Sequence, residues 1–209
     1  MNIPISKSYI YLASRSPRRR ELLYQIGVDH EVLMQRIKAE RGADVNEHSL
    51  ARENPRDYVL RMCRDKVESG WTRVLQRKLP PHGVLAADTT VCLGDEIFGT
   101  PADAAEAAGF LARLSGREHE VLTAVALKFE GRMELLLSAS AVRFRVIERA
   151  EIERYVATGE PMDKAGAYGI QGHAGAFIAE IRGSYSGVMG LPLYETAQLL
   201  KSFGLMPSA

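Results

Sequence analysis

The sequence predicts an α/β domain built on one mixed sheet, and three observations support that class. Segments with strand character and segments with helical periodicity are mixed along the whole chain. A short strand leads directly into a helix at the start, and two long β segments joined by a Glu-Gly turn indicate an antiparallel hairpin. The length of 209 residues and the lack of a linker-like stretch predict a single domain over 1–209, with a lobe built on the hairpin.

Local signals define the elements of the first half of the chain. Ser16 is suited to cap a helix that begins at Pro17, because proline has a helical φ and lacks the N–H that a first turn leaves unpaired. Apolar residues at three- and four-residue steps indicate a second helix that begins at Pro55 and ends near Gly70. In order, we predict a strand at 9–13, a helix at 17–26, a strand at 31–34, a mobile loop at 37–54 and a helix at 55–70.

The second half begins with a near-continuous apolar run over 84–93, which is typical of a central strand. Asp103 and Glu106 have the spacing of a capping box for the helix that follows. In order, we predict strands at 84–93 and 96–98, a helix at 103–114, hairpin strands at 120–129 and 134–146, a helix at 148–158, a glycine-rich loop at 159–175, a strand at 177–181 and a closing amphipathic helix at 191–203.

The composition excludes several classes of protein. Hydrophobic residues make up 46% and charged residues 25%, which excludes disordered, collagenous and membrane classes. Lysine and arginine total 27 against 26 acidic residues, so the net charge of +1 provides no general field for nucleic acid. Chemistry that depends on charge must therefore come from local clusters.

The cysteines and the chain's apolar runs point to the cytoplasm. Cys63 and Cys92 lie among apolar residues without metal-binding spacing, which predicts two buried reduced thiols. No apolar run approaches the roughly 18 residues of a membrane span, and we find no targeting signal. We therefore expect a cytoplasmic protein without a membrane or nucleic-acid partner, and the sequence leaves a homodimer open.

The first candidate site is a basic cluster at 14–20, where four arginines fall within six positions between a strand and a helix. A helix N-terminus exposes backbone N–H groups, and serine hydroxyls and guanidinium groups would complete a cradle for phosphate. The alternative is a solvated basic first turn. Cations at this end oppose the helix dipole, however, and such a cluster favours an anionic ligand.

The second candidate is Asp88, a carboxylate within the apolar run 84–93. Burial of a carboxylate is costly unless it is paired, hydrogen-bonded or bound to a metal. Asp88 could therefore be a metal ligand or general base in a cleft, or a strand-end residue bonded to backbone amides. The sequence alone leaves both interpretations open.

The third candidate is the glycine-rich segment 159–172, in which glycines alternate with charged and amide side chains. Such a loop serves either plain turn geometry or close approach of the backbone to a ligand. It is neither a Walker A loop nor a Rossmann motif. Lys66 lies among apolar positions of the helix at 55–70, where its side chain either extends to solvent or points into a site.

Five motifs in this order resemble the Maf family of nucleoside triphosphate pyrophosphatases, once described as septum formation inhibitors. They are SRSPRRRELL (14–23), AADTTV (86–91), LSG (114–116), GEPMDKAGAYGIQG (159–172) and GLPLYET (190–196). The resemblance implies an ITPase-like, Maf-like α/β fold with an elongated mixed sheet and a cleft between two lobes. The second and fourth motifs are similar to those of the branch that hydrolyses dTTP and UTP to the monophosphate and pyrophosphate, with modified pyrimidine nucleotides as further candidates.

The resemblance also implies roles for single residues. Asp88 matches the proposed proton acceptor, and Asp88 with Glu40 would hold a divalent metal cation, Mg²⁺ or Mn²⁺. Gln171 would present its amide to a pyrimidine, since an amide both donates and accepts hydrogen bonds. Lys66 matches a catalytic basic residue near the phosphates. The other substrate-binding matches are Ser14, Ser16, Arg18, Arg19, Thr89 and Lys164.

One position departs from the family pattern. The family usually has a lysine in a Gly-Lys-Pro sequence thought to contact phosphate, and here Thr100 stands between Gly99 and Pro101. The alternative function is therefore a nucleotide-binding regulator of cell division with weakened hydrolysis. Arg15 or Arg20 would be available to compensate for the missing cation.

Overall fold

The computed structural model describes residues 9–33 and 53–206. The strands are β1 (Tyr9–Leu12), β2 (Asp29–Val32), β3 (Gly83–Leu93), β4 (Glu96–Phe98), β5 (Glu118–Phe129), β6 (Arg132–Phe144) and β7 (Ile178–Arg182). The α-helices are α1 (Pro17–Gln25), α2 (Pro55–Gln76), α3 (Ala104–Leu114), α4 (Arg149–Ala157), α5 (Tyr185–Met189) and α6 (Leu193–Ser202). No helix in these two ranges is both long enough and apolar enough to cross a membrane.

The strands of these two ranges form one seven-stranded sheet in the order β2-β1-β3-β5-β6-β7, with β4 beside β3. β1 runs parallel to β2 and β3, whereas all other pairs are antiparallel. Helices cover both faces of this sheet, because α2 packs on one side of β3 and β5 and α6 packs on the other. The predicted α/β class with a mixed sheet is confirmed.

An interruption at one edge of β3 opens the sheet. Residues Gly83–Leu85 of β3 pair with β1, and Val91–Leu93 pair with β4 on the same edge. Between them, Ala86–Thr90 pair with β5 on the opposite edge but with no strand on this edge within the described residues. Asp88 lies at the centre of this interruption, where the chain after β1 leaves the sheet.

Helix α2 is longer than the sequence predicts. The predicted end near Gly70 is wrong, because α2 continues through this residue to Gln76. Gly70 is buried where the helix crosses the sheet, and a Cβ there would lie 2.8 Å from Cγ1 of Val84 and 3.0 Å from Cβ of Ala13. The glycine therefore permits close helix–sheet packing rather than ending the helix.

The space around two helical glycines predicts opposite effects on stability when each is replaced by alanine. Gly109 in α3 is exposed, and a Cβ there would meet open space, so Gly109→Ala is expected to stabilise the protein by about 0.5–1 kcal/mol. Gly70→Ala is expected to destabilise it by about 1–3 kcal/mol, because the added methyl group overpacks the α2–β3 contact. Denaturant unfolding of both variants tests this, and stabilisation by Gly70→Ala would contradict the packing argument.

Several boundaries differ from the predicted ones. The second strand begins two residues earlier than predicted, at Asp29, and the predicted loop at 37–54 lies outside the described residues apart from its last two. Three short 3₁₀ turns lie at Glu160–Asp163, Ala165–Ala167 and His173–Phe177, so the last one extends beyond the predicted loop at 159–175. The predicted closing helix at 191–203 is α6, which begins after Pro192. A short helix that the sequence did not predict, α5, comes before it and ends at Gly190, which adopts φ of 117°.

Local capping follows the prediction at Ser16, whereas only half of the predicted Asp103–Glu106 capping box forms. Ser16 Oγ accepts a hydrogen bond from the Arg19 backbone N–H at 3.4 Å, with Pro17 at the first helical position. Asp103 accepts from the Glu106 N–H at 2.8 Å, while the Glu106 carboxylate accepts from Ala102 rather than from the cap residue. Cys63 and Cys92 are both buried and free, as predicted, and burial raises the pKa of Cys63 to about 12.

Candidate active site

A cavity of about 650 Å³ lies at the interruption of the sheet, and we call it the central cavity. Its walls come from the β1–α1 turn, α2, the middle of β3, the β4–α3 connection, the segment 163–170 and the end of α5. The charged side chains that line it, among the residues that the structure describes, are Arg15, Arg18, Arg19, Lys66, Lys164, Asp88 and Asp163. In the described part of the cavity wall, five cations against two carboxylates favour a polyanionic ligand.

Asp88 and Lys66 form an ion pair inside the central cavity. Lys66 Nζ on α2 lies 2.5 Å from Asp88 Oδ1 on β3, and the two side chains are 18% and 10% exposed. This contact answers the sequence question about Lys66 and identifies the side chain that pairs with Asp88. The Lys66 side chain points into the cavity rather than to solvent, and Asp88 has a lysine partner at the open edge of the sheet.

Arg19 connects three separate segments behind this pair. Its Nε donates to the Gly190 carbonyl at 2.7 Å, and its two terminal nitrogens donate to Ser14 Oγ and Thr89 Oγ1, both at 3.3 Å. Gly190 has φ of 117°, a backbone conformation that favours glycine and turns this carbonyl toward Arg19. The guanidinium group therefore fixes α5 and the β1–α1 turn against β3.

A chain of hydroxyl groups extends from Arg19 across the sheet. Thr89 Oγ1 lies 3.1 Å from Thr123 Oγ1 on β5, and Thr123 donates to the Gly187 carbonyl at 2.8 Å. Sequence reasoning missed Thr123, which is 1% exposed. A signal was present, because Thr123 is the one polar residue of the apolar run 121–127, and Asp88 likewise interrupts the run 84–93 together with Thr89 and Thr90.

The two predicted serines shape the β1–α1 turn. Ser14 is buried, and its Oγ accepts hydrogen bonds from the Ser16 backbone N–H at 3.2 Å and from Arg19. Ser16 caps α1. Both serines line the central cavity, so the predicted N-terminal cradle of hydroxyls and arginines is assembled at this wall.

Asp163 joins two of the cavity's cations. It lies 2.5 Å from Lys164 Nζ and 3.7 Å from Arg18 Nη1, so it links the loop at 160–164 to the first turn of α1. Burial opposes ionisation of Asp163, but the hydrogen bond and charge of Lys164 and the charge of Arg18 outweigh it and lower the pKa of this carboxyl. Asp163 lies in the fourth motif, but the sequence indicated no role for it.

The structure brings eight of the predicted residues together at the central cavity and leaves one outside it. Those that line it are Ser14, Ser16, Arg18, Arg19, Lys66, Asp88, Thr89 and Lys164. Gln171 is exposed and does not line the cavity, although its neighbour Ile170 does. Glu40 lies outside the described residues. Thr100 is exposed at the cavity wall, so the position that departs from the family pattern faces the same space.

A buried histidine contacts the part of the cavity wall formed by the glycine-rich segment. His119 on β5 is 2% exposed, and its Nε2 lies 2.9 Å from the hydroxyl of Tyr168, which lines the cavity. Phe144 packs edge-on against both rings. Burial lowers the pKa of His119 to about 4, so the imidazole is neutral at neutral pH.

This buried imidazole predicts a stability change in mildly acidic solution. The unfolded chain binds a proton at His119 near pH 6.5 and the folded chain only near pH 4, so stability is complete above pH 6.5 and falls as pH decreases between these values. The loss is expected to reach about 3 kcal/mol. Unfolding of His119→Gln should lack this component, whereas His82→Gln, at a partly exposed site, should retain it. Identical pH profiles for wild type and His119→Gln would contradict the prediction.

The carboxylates of the central cavity determine what kind of metal site it can form. No group of three or more histidine, cysteine, aspartate or glutamate side chains with metal-binding geometry occurs within 9–33 and 53–206. Mg²⁺ in nucleotide enzymes is commonly held by one or two carboxylates together with phosphate oxygens and water. Asp88 is a donor of this type, so the residues present fit a cation that arrives with phosphate ligands rather than a protein cage.

Comparison with known proteins gives a consistent result. The Maf-like protein family matches residues 9–203. A dTTP/UTP pyrophosphatase of Nitrosomonas europaea is 57% identical over 94% of this chain and 95% of its own length. Its counterpart of the same name from Aromatoleum aromaticum is 60% identical over 93% of this chain and 95% of its own.

Further relatives extend the comparison. A dTTP/UTP pyrophosphatase of Dechloromonas aromatica is 52% identical over 95% of this chain and 98% of its own length. Among solved structures, the Staphylococcus aureus Ham1 protein aligns with a TM-score of 0.43 and 12% identity over 65% of this chain and 71% of its own. The family match spans nearly all of the described residues and includes every segment that lines the central cavity. This chain belongs to the Maf-like protein family.

Proposed function

We propose that this chain hydrolyses dTTP and UTP to the nucleoside monophosphate and pyrophosphate in the central cavity. The observation that carries the proposal is an identity of 52–60% with proteins named dTTP/UTP pyrophosphatase over nearly the whole chain. The cavity supports it independently, because a buried carboxylate–lysine pair is surrounded by cations at an opening in the sheet.

The cations of the cavity would bind the triphosphate. Arg18 and Arg19 approach from the first turn of α1, Lys66 from α2 and Lys164 from the loop after α4. These elements converge from separate parts of the chain, so the phosphates would be contacted from several sides. Preorganised charges of this kind act on the charge that develops on phosphate oxygens in the transition state.

Asp88 would act on the attacking water. One Asp88 carboxylate oxygen is held by Lys66, and the carboxylate can accept the water's proton as the oxygen bonds to the α-phosphorus. The bond between the α-phosphorus and the oxygen that bridges to the β-phosphorus breaks, and pyrophosphate leaves with that oxygen. The products are the nucleoside monophosphate and pyrophosphate.

A divalent cation, Mg²⁺ or Mn²⁺, is part of the proposal. Asp88 would supply one ligand, with Glu40 proposed as the second carboxylate. When bound, the cation would neutralise charge on the phosphate oxygens.

Recognition of the base is proposed to involve Gln171, Thr89 and Arg18. Thr89 and Arg18 line the cavity, whereas the exposed position of Gln171 means that its amide would have to reach a base at the cavity mouth. A cytoplasmic location is also proposed, and the two buried free thiols among the described residues support it.

A substrate panel tests the function directly. Pyrophosphate and monophosphate release would be measured with dTTP, UTP, CTP, ATP, GTP and 5-methyl-UTP, with and without Mg²⁺ or Mn²⁺. The proposal expects dTTP and UTP to be hydrolysed fastest and only with metal. Preferential release from 5-methyl-UTP would redirect the assignment to modified pyrimidines, and no pyrophosphate from any pyrimidine would overturn it.

A second candidate is a nucleotide-binding regulator of cell division with weakened hydrolysis. Thr100 favours it, because an uncharged side chain at the cavity wall stands where the family usually has a lysine. Binding and turnover of dTTP measured side by side separate the two functions. A regulator would bind dTTP tightly without appreciable turnover.

A further inference from the structure

Glu160 lies outside the central cavity but anchors the loop that carries Lys164. Its side chain is 18% exposed and accepts three hydrogen bonds: from the Tyr155 hydroxyl at 3.0 Å, the His173 backbone N–H at 3.1 Å and His173 Nδ1 at 2.9 Å. Tyr155 belongs to α4 and His173 to the far end of the glycine-rich segment. The carboxylate therefore ties both ends of this segment to one helix.

The glycines of the segment make room for this arrangement. A Cβ at Gly172 would lie 2.1 Å from Glu160 Oε1, and a Cβ at Gly169 would lie 2.7 Å from Lys164 Cε. Neither space could hold a larger residue without displacing the side chain beside it. The segment is thus folded closely over the Glu160 carboxylate and the Lys164 stem.

The same residue directly contacts the Lys164 ammonium. Lys164 Nζ donates to the Glu160 backbone carbonyl at 2.5 Å and to Asp163 Oδ1 at 2.5 Å, and the lysine lines the central cavity. An ammonium has three donors, and these two contacts in the described part of the chain hold it while the third donor can serve a ligand oxygen. Because the Glu160 side chain is anchored, its carbonyl is fixed, and the ammonium is fixed with it.

The groups around the Glu160 carboxylate favour its charged form. Burial opposes ionisation of Glu160, but its hydrogen bonds with His173 and Tyr155 and the charge of Lys164 outweigh it and lower the pKa. A charged acceptor makes stronger hydrogen bonds than a neutral one.

We propose that Glu160 is a positioning residue that holds the Lys164 ammonium in place for a phosphate group of a bound nucleoside triphosphate. The inference rests on the proposed function for the identity of the ligand. It assigns Glu160 no contact with the substrate. Its effect on the reaction therefore depends entirely on the presence of Lys164.

The test is a double-mutant cycle read out by binding. The dissociation constant of a dTTP analogue with a non-hydrolysable α,β-methylene bridge would be measured by calorimetry for wild type, Glu160→Gln, Lys164→Met and the double variant. Glu160→Gln and Lys164→Met are each expected to weaken binding about tenfold. The double variant should bind no more weakly than Lys164→Met alone, since the effect of Glu160 passes through Lys164.

Control variants keep the test decisive. Glu153→Gln alters an exposed glutamate of α4 that pairs with Arg149, and it should leave the dissociation constant unchanged. If Glu160→Gln does not fold, Tyr155→Phe removes one of the three hydrogen bonds while keeping the ring and enters the same cycle. The proposal would be overturned if Glu160→Gln left the dissociation constant unchanged. It would also be overturned if Glu160→Gln weakened binding by the same factor in the Lys164→Met background as in wild type.

Calorimetry also separates this proposal from the proposed function. A merely structural role for Glu160 would lower the active fraction, and with it the binding stoichiometry, without changing the dissociation constant of the folded protein. If wild type binds the analogue but releases no pyrophosphate from dTTP, the enzymatic function fails while the positioning role is still measured.

Discussion

Asp88→Asn is expected to lower kcat/KM for dTTP by about 10²–10⁴-fold, the range typical for loss of a general acid–base group. The substitution keeps the size of the side chain and removes its charge and most of its basicity. Pyrophosphate release under steady-state conditions measures the effect. The dissociation constant of the α,β-methylene analogue should change far less than kcat. Asp88 is proposed to act on the attacking water, whereas the cations of the cavity would bind the phosphates.

Two controls define what this result means. Asp95→Asn alters an exposed aspartate in the β3–β4 turn, outside the central cavity, and should leave kcat/KM unchanged. Thermal unfolding of Asp88→Asn shows whether Lys66 still fits without its charged partner. Equal rates for wild type and a folded Asp88→Asn protein would remove Asp88 from the mechanism.

Thr100→Lys is expected to raise kcat/KM for dTTP by about 10- to 100-fold, since a charge-assisted contact with phosphate contributes about 1.5–3 kcal/mol. Thr100 is exposed at the wall of the cavity, so a lysine there can extend toward the ligand without displacing buried side chains. Steady-state pyrophosphate release gives the rate, and calorimetry with the analogue gives the affinity.

A matched control distinguishes a local contact from a general charge effect. Thr72→Lys adds the same charge on the exposed face of α2, outside the cavity, and should leave the rate near that of wild type. A rise with Thr100→Lys alone would show that hydrolysis in this chain is weakened at this position. No rise would mean that other cations of the cavity, such as Arg15, already supply the missing charge.

Much of the fold followed from local sequence signals. Ser16 with Pro17 and Asp103 with Glu106 mark helix starts by capping, which is a local interaction and therefore readable from sequence. The hairpin of β5 and β6 and the central strand β3 were also predicted within a few residues. Residue patterns located the cluster at 14–20, Asp88 and the segment 159–172, and the motif resemblance then supplied expected roles for the eight predicted residues that line the cavity.

The predictions that were wrong involve long-range packing. Gly70 has the local signature of a helix end, yet its position against Val84 and Ala13 is decided by how α2 crosses the sheet. The short helix α5 was not predicted, and it ends at Gly190, whose carbonyl contacts Arg19, a residue 171 positions away. Thr123 contacts Thr89 only because the two residues lie opposite each other in the register of β3 and β5.

The sequence by itself determined the chemical inventory of this protein: a nearly neutral chain in which cations cluster at 14–20 and a single carboxylate interrupts an apolar strand. Only the tertiary structure decided which of these groups share one space. Among the described residues, β1 and β4 occupy the two ends of one edge of β3 and leave its middle open. Asp88 meets Lys66 there, whereas the exposed Gln171 does not line the cavity. Strand pairing of this kind depends on contacts between residues far apart in the chain, and local patterns do not encode them.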